Sequence, residues 1–248
     1  MSIYIITHKA FEQPKDEGYR SLLVGAHRGH IFGDEYDDSG ENISEKNSNY
    51  CELTGLYWLW KNCKDEYIGI THYRRYFSNH FGNKKILSKK CVENKLKTYD
   101  IILPFHQRIQ QTIEENYCEE SGYKKDLDLV EEIIGEQCPE YLKTYRKYMN
   151  GHDISFFNMM ICKKEIYDDY CKWLFAILFE VEKRADLTGY NSYQKRIYGF
   201  MAERLLNVYV KHNCFKVFEV GVINTEEKWP LKKRFLTGCK RVVLYHLK

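Results

Sequence analysis

The chain has 248 residues, of which 44% are hydrophobic and 29% charged, a composition typical of a soluble globular protein with an ample core. The formal net charge of +3 is too small to indicate a nucleic-acid binder. Nine scattered cysteines without a Cys-x-x-Cys pair, and a start that lacks signal-peptide features, predict free thiols in a reducing cytosol. No apolar run approaches the roughly 18 residues that span a bilayer.

The first half of the chain predicts three buried strands. Residues 3–7 form a β-branched run that ends in Thr-His-Lys, and residues 22–26 form a second apolar run. A polar, glycine-containing loop follows over residues 33–42, and residues 67–73 form the third strand. Because a helix is predicted before this third strand, a parallel βαβ unit is expected.

That helix is predicted to begin at Asn42. Glu45 lies three residues later in a capping-box pattern, and Ser44 is a competing cap. One apolar face then recurs at helical spacing as far as Asn62, through Tyr50, Leu53, Tyr57 and Trp60.

The third strand ends in His72-Tyr73-Arg74-Arg75, an unusual concentration of polar side chains. Ligands of open α/β sheets bind outside the carboxyl ends of the strands, and guanidinium groups suit phosphate. The alternative is a sheet edge where the arginines only meet Asp or Glu. In a regular strand, alternation places His72 and Arg74 on one face, and we expect this pair to face the ligand.

The second half predicts strands over residues 99–104 and 153–162 and helices over 126–149, with a second helix starting at Pro139. Asn158 is an amide inside the second apolar run. A buried amide needs partners, so Asn158 is either a satisfied core amide or a ligand for a sugar or ribose.

Two further helices and a basic tail complete the chain. Residues 170–181 form an amphipathic helix that we assign to the core, and residues 196–211 form a helix with a polar strip of Arg196, Glu203 and Asn207 that faces either solvent or a cleft. Residues 228–248 carry seven basic and no acidic residues among aromatic and aliphatic ones. This tail is either a final strand and helix packed on the domain or a contact for an anionic membrane surface.

Several of these segments resemble a family of bacterial proteins first catalogued as a domain of unknown function. Its members lie in capsule, exopolysaccharide and lipopolysaccharide gene clusters and are described as glycosyltransferases. The most specific match is the string His-Tyr-Arg-Arg-Tyr-Phe at residues 72–77. The other matching segments are 3–9, 42–47, 51–62, 69–71, 158–161, 170–175 and 199–207.

The resemblance implies a GT-A-like, Rossmann-like α/β/α sandwich with a mixed, mostly parallel sheet over residues 1–227, followed by the tail. Many GT-A enzymes have Asp-x-Asp where this chain has His72-Tyr73-Arg74-Arg75. Since arginines can neutralise a leaving diphosphate directly, we expect transfer that requires no metal. The alternative is a Mn²⁺ or Mg²⁺ ion held by Asp34, Asp37 and Asp38.

The resemblance also implies the transfer of a sugar from a nucleotide-diphospho-sugar, with UDP-galactose in pyranose or furanose form as the donor. The acceptor would be a hydroxyl of a growing, lipid-linked polysaccharide at the inner face of the plasma membrane. The predicted base is Glu203, His72 or Asp153. The predicted donor ligands are Thr7, Lys9, Asn42, Lys46, Asn47, Tyr73, Arg74 and Arg75, and the predicted sugar or acceptor ligands are Asn158 and Asp38.

Two other classes of function are weaker. A non-catalytic nucleotide- or glycan-binding module would bind the same ligand without transferring it. A phosphotransferase is conceivable, but the chain has no Gly-x-x-x-x-Gly-Lys loop. The low net charge argues against a nucleic-acid partner.

Overall fold

The computed structural model describes residues 1–26, 29, 32–78 and 85–226. The strands in this part of the chain are β1 (Ser2–Thr7), β2 (Tyr19–Leu23), β3 (Glu35–Tyr36), β4 (Tyr67–His72), β5 (Arg75–Ser78), β6 (Ile101–Pro104), β7 (Gln107–Arg108), β8 (Asp153–Ile154), β9 (Met160–Lys163) and β10 (Val217–Asn224). The helices are α1 (Asn47–Tyr50), α2 (Leu53–Asn62), α3 (Lys89–Lys95), α4 (Ile113–Glu120), α5 (Lys124–Gln137), α6 (Leu142–Met149), α7 (Lys164–Arg184) and α8 (Ile197–His212).

Eight strands form one mixed sheet in the order β3-β2-β1-β4-β5-β10-β6-β9, and β7 pairs with β8 separately. The first four strands are parallel, and their register brings the carboxyl ends of β1, β2 and β4 to one edge. Because β9 also pairs with β4, the strands β4, β5, β10, β6 and β9 close into a small five-stranded ring. The prediction of a mixed sheet is confirmed. The prediction of a parallel majority is wrong, because four of the eight pairings among these described strands are antiparallel.

The two faces of the sheet are covered unequally. In β1, Tyr4 and Ile6 pack into a large cluster with residues of every helix except α3. Ile3 and Ile5 point to the opposite face, where the cluster is smaller and α3 supplies the helical contribution with Val92. The α/β content of the predicted sandwich is therefore present, with most of the helical mass on one side of the sheet.

Helix α2 lies close to the sheet because Gly55 has no side chain. A Cβ added at Gly55 would lie 2.9 Å from both Ile6 and Val24. This close approach places the N-terminus of α2 next to the carboxyl edge of the parallel strands.

Three predicted elements differ in the structure. The helix predicted from Asn42 to Asn62 is a 3-10 turn at 44–46 followed by α1 and α2, because Cys51 has a φ of 53° that interrupts the helix. The strand predicted over 153–162 is broken between β8 and β9, where Phe157 and Asn158 have φ values of 87° and 48°. β10 was not predicted, although it joins β5 to β6.

Other predictions are confirmed. The chain between 124 and 149 forms two helices separated at Pro139, residues 170–181 lie within α7, and the last predicted helix is α8. The tail at 228–248 lies outside the described residues, so its predicted membrane contact and the boundary at residue 227 stay predictions. None of the helices in the described ranges has the length and apolarity that a membrane crossing requires.

Candidate active site

The strand β4 ends at His72, and the chain reverses at once. Tyr73 and Arg74 form a turn, and His72 pairs with Arg75, the first residue of β5. The expected alternation of a regular strand therefore does not continue past His72. The prediction that His72 and Arg74 share one face is wrong, because the hairpin sets Arg75 opposite His72.

The interrupted segment between β8 and β9 crosses this edge of the sheet and is fixed to α8. The side chain of Asn207 accepts a hydrogen bond from Ser155 N (3.0 Å) and donates to Ser155 O (2.9 Å) and to Glu203 O (2.8 Å). Ser155 Oγ donates to Pro104 O (2.9 Å), which joins the segment to β6. Asn207, one of the residues of the predicted polar strip, therefore faces the protein interior.

The backbone of Phe157 joins two of the predicted catalytic side chains. Its N–H donates to Glu203 Oε1 (2.9 Å), and its carbonyl lies 2.6 Å from His72 Nε2. Since a carbonyl oxygen only accepts, His72 must carry its proton on Nε2. Phe157 has a positive φ, and this strained backbone directs its N–H to Glu203 and its carbonyl to His72.

Glu203 is held on both of its carboxylate oxygens. Oε1 accepts from Phe157 N–H, and Oε2 lies 3.1 Å from the guanidinium of Arg204, which is buried with a side-chain exposure of 3%. Burial raises the pKa of Glu203, and Arg204 opposes that effect. A second carboxylate, Glu52, raises the pKa of Glu203 further through like-charge repulsion.

His72 and Arg75 supply the imidazole and the cation of the site. Burial lowers the pKa of His72, the charge of Glu52 opposes this, and Arg75 and Arg74 add to the lowering. The guanidinium of Arg75 lies 4.5 Å from the centre of the Phe157 ring. Within the described part of the chain it makes no hydrogen bond or ion pair, although it is half-buried and interacts electrostatically with Glu203 and Glu52.

Asn158 links this cluster to Glu52, which was not among the predicted site residues. The amide Nδ2 of Asn158 donates to Glu52 Oε1 (2.7 Å) and to Gly199 O (3.1 Å). Asn158 is 1% exposed, and its Oδ1 has no hydrogen-bond partner among the described residues. The amide is therefore only partly satisfied, which differs from a fully satisfied core amide, and the role of Asn158 as a ligand for a sugar or ribose stays a prediction.

A second cationic group lies at the end of β1. The ammonium of Lys9 and the guanidinium of Arg74 both approach the carboxylate of Glu226, at 3.5 Å and 3.1 Å. The ring of Tyr73 lies beside both cations, 4.7 Å from Lys9 and 5.6 Å from Arg74. The side chains are between 38% and 52% exposed, so these ion pairs are screened by solvent and contribute little to stability.

The remaining predicted site residues lie in local contacts outside the His72 cluster. Thr7 Oγ1 bonds the backbone of Lys9, and Asn42 Oδ1 accepts a hydrogen bond from Ser44 N, although the residue at the N-cap of the 3-10 turn is Ile43. Asn47 bonds Cys51 O and Thr54, while Lys46 pairs with Glu182 of α7. Asp38 is exposed, and Asp153 pairs with Arg108 across the β7–β8 ladder.

The carboxylates considered for a metal ion serve the loop after β2. Asp37 accepts hydrogen bonds from Gly25 N, Ala26 N and Ser44 Oγ, and Asp34 accepts from both the backbone and the hydroxyl of Ser21. Among the residues that the structure describes, no group of three or more His, Cys, Asp or Glu side chains has the arrangement of a metal site. Metal-independent transfer stays a prediction.

Two residues of the cluster were missed for different reasons. Glu52 lies inside the family-like segment 51–62, so a carboxylate placed just before an apolar helical run was a usable signal. Phe157 contributes its backbone N–H and C=O, and nothing in an apolar side chain indicates that role.

Comparisons with known proteins extend this description. No functionally curated protein matches the chain. A solved structure titled as the apo form of WbbM, a bifunctional glycosyltransferase, superimposes with a TM-score of 0.84 at 29% sequence identity. That match covers 91% of this chain but 45% of the WbbM chain. The model of the family described as "Domain of unknown function (DUF4422)" matches residues 2–214, and the chain therefore belongs to the DUF4422 family, as its resemblance to a family of unknown function predicted.

Proposed function

We propose that this chain is a glycosyltransferase that moves a sugar from a nucleotide-diphospho-sugar to a hydroxyl of a growing cell-surface polysaccharide. The observation that carries the proposal is the meeting of cations and carboxylates at one edge of the sheet. Arg75 has no anionic partner at hydrogen-bond distance in the described chain, yet it interacts electrostatically with Glu203 and Glu52. Transfer from a sugar diphosphate needs both a positive charge for the leaving group and a base for the attacking hydroxyl.

The topology supports this assignment. The strand order β3-β2-β1-β4 with parallel pairing is that of a Rossmann-like half, and such sheets bind nucleotides beyond the carboxyl ends of their strands. Thr7 and His72 end two of these strands. The similarity to WbbM, which extends over 91% of this chain, supports a glycosyltransferase.

The donor diphosphate is assigned to two adjacent groups of cations. Lys9 and Arg74 already hold one carboxylate, that of Glu226, which shows that an anion fits between them. Arg75 lies on the other side of the hairpin turn, beside the carboxylates. Guanidinium groups bind phosphate oxygens with two parallel hydrogen bonds, so both arginines suit a leaving diphosphate.

The test starts with a thermal-shift screen of nucleotide sugars, with UDP-galactose as the first donor, followed by measurement of released nucleoside diphosphate. Arg75→Ala is expected to abolish release and weaken donor binding. Arg146→Ala is the matched control, because Arg146 forms an exposed pair with Glu131 on a different surface. Equal donor affinity in both variants would refute the role of Arg75.

Two further measurements address the finer parts of the proposal. Turnover is expected to persist after chelation of divalent metal, and complete loss that manganese restores would overturn the arginine account. Lipid-linked oligosaccharides are the acceptors to offer first. A protein that binds a nucleotide sugar but never releases nucleoside diphosphate would be the alternative, a non-catalytic binding module.

A further inference from the structure

Two carboxylates lie in the candidate site, and their surroundings differ. Both oxygens of Glu203 are occupied, by Phe157 N–H and by Arg204. Glu52 uses Oε1 to accept from Asn158, and its Oε2 makes no hydrogen bond to the described part of the chain. A base must accept a proton from the attacking hydroxyl within hydrogen-bond reach, so the carboxylate with an available oxygen is the better candidate.

The contact between Glu52 and Asn158 is held by an unfavourable backbone. Cys51, which precedes Glu52, and Asn158 both have positive φ values, 53° and 48°. Because the two neighbours of the Asn158 amide are acceptors, its NH₂ group must face them, and Oδ1 is then left buried without a partner. An unsatisfied buried acceptor costs free energy, and such costs concentrate at functional sites.

The residue that faces the Glu52 carboxylate is a glycine, Gly199. A Cβ added there would lie 3.7 Å from Oε1 and 3.9 Å from Oε2, which is ordinary van der Waals contact. The Glu52 side chain is partly exposed. The carbonyl of Gly199 accepts a hydrogen bond from the amide of Asn158, so the first turn of α8 fixes the group that positions the carboxylate.

We infer that Glu52 is the general base of the proposed transfer and that Glu203 is a positioning residue. The inference rests on the proposed function. In this step Glu52 takes the proton of the acceptor hydroxyl while the oxygen of that hydroxyl forms a bond to the anomeric carbon. The bond from that carbon to the diphosphate breaks, and the nucleoside diphosphate leaves with the electron pair. The proton then passes from Glu52 to solvent.

The charge of Glu52 acts on the titration of several elements around it. Burial lowers the pKa of His72, and the charge of Glu52 opposes that effect. Burial raises the pKa of Glu203, and the charge of Glu52 raises it further. The charge of Glu52 interacts electrostatically with titratable and charged groups on several elements. These groups are His72 and Arg75 of the hairpin, Glu203 of α8, Arg196 of the turn before α8, Tyr170 of α7, and the neighbouring Cys51.

The experiment compares Glu52→Gln, Glu203→Gln and the control Glu131→Gln in the full chain, with the nucleotide sugar selected by thermal shift and release of nucleoside diphosphate as the readout. Glu52→Gln is expected to lower kcat by about 100-fold or more, with donor Kd nearly unchanged and the acid limb of the kcat–pH profile lost. Glu203→Gln is expected to lower the Tm while the acid limb persists. Glu131→Gln should match the wild type, since its pair with Arg146 is exposed.

A second variant keeps the inference testable if Glu52→Gln does not fold. Asn158→Ala removes the hydrogen bond that positions the Glu52 carboxylate, and it is expected to lower kcat about 10-fold with donor Kd nearly unchanged. An acid limb that survives Glu52→Gln, or a kcat that is unchanged in Asn158→Ala, would overturn the role of Glu52. A wild-type chain that binds no nucleotide sugar and releases no nucleoside diphosphate would instead refute the proposed function.

Discussion

The contact between Asn207 and Ser155 gives the sharpest prediction about stability. Asn207 is 7% exposed and Ser155 is 4% exposed, so the hydrogen bonds between them are shielded from water. The substitution Asn207→Ala leaves the N–H and the C=O of Ser155 without these partners. Each orphaned buried group costs about 1–3 kcal/mol, which gives about 2–6 kcal/mol for the pair.

This loss converts into a shift that calorimetry can measure. For a chain of this size each kcal/mol lowers the Tm by about 2–4 °C, so Asn207→Ala should melt about 4–24 °C below the wild type. The matched control is Asn150→Ala, because Asn150 is exposed and donates one hydrogen bond, to Arg146 O. A Tm for Asn207→Ala no lower than that of Asn150→Ala would refute the stabilising role of the hydrogen bonds between Asn207 and Ser155. Activity measured well below both melting temperatures should also fall in Asn207→Ala, because the segment that carries Phe157 loses its anchor on α8.

Three further predictions concern charges in and around the site. Burial is the main cause that lowers the pKa of His72, so the contribution of His72 to stability is present above the ordinary value of 6.5 and is lost as the pH falls through the lowered pKa. His72→Gln should therefore flatten that part of a plot of Tm against pH. An unchanged slope would contradict this prediction. Asn158→Asp should lower the Tm more than Asn158→Ala in thermal denaturation, because it sets a carboxylate against Glu52 and the Gly199 carbonyl. Glu226→Gln should tighten nucleotide-sugar binding by up to about fivefold in titration calorimetry, because it removes the negative charge that competes with the donor for two exposed cations. Weaker binding would mean that Glu226 helps to hold the donor.

The repeating patterns of the sequence identify most of the helices and the parallel strands. Apolar spacing at the helical period predicts α5 and α7, since each of these helices buries one face. The mostly apolar run predicts α8 and the β-branched run at 3–7 predicts β1, and both elements are buried on nearly all sides. These patterns work because the burial of an element is encoded in its own residues.

The interruptions were not predictable in the same way. Cys51, Phe157 and Asn158 adopt positive φ values inside runs whose apolar character favours a continuous helix or strand. Tertiary hydrogen bonds fix these conformations, for example the bond from Phe157 N–H to Glu203, and the bonding partners lie more than 40 residues away in the sequence. A local pattern carries no information about such partners. The functional side chains gather at these interruptions, which is why the predicted list contained Glu203, His72 and Asn158 but missed the contacts that join them.

The two adjacent arginines show how a two-residue turn changes the chemistry of a motif. A regular strand would place Arg74 beside His72 and send Arg75 to the opposite face. Because the chain reverses at Tyr73-Arg74, Arg75 pairs with His72 and lies near Glu52 and Glu203, while Arg74 joins Lys9 at the surface. One string of residues thereby supplies cations to two neighbouring positions. The proposed donor diphosphate presents two separate groups of charged oxygens, and in the proposed mode of binding the hairpin offers one arginine to each of them.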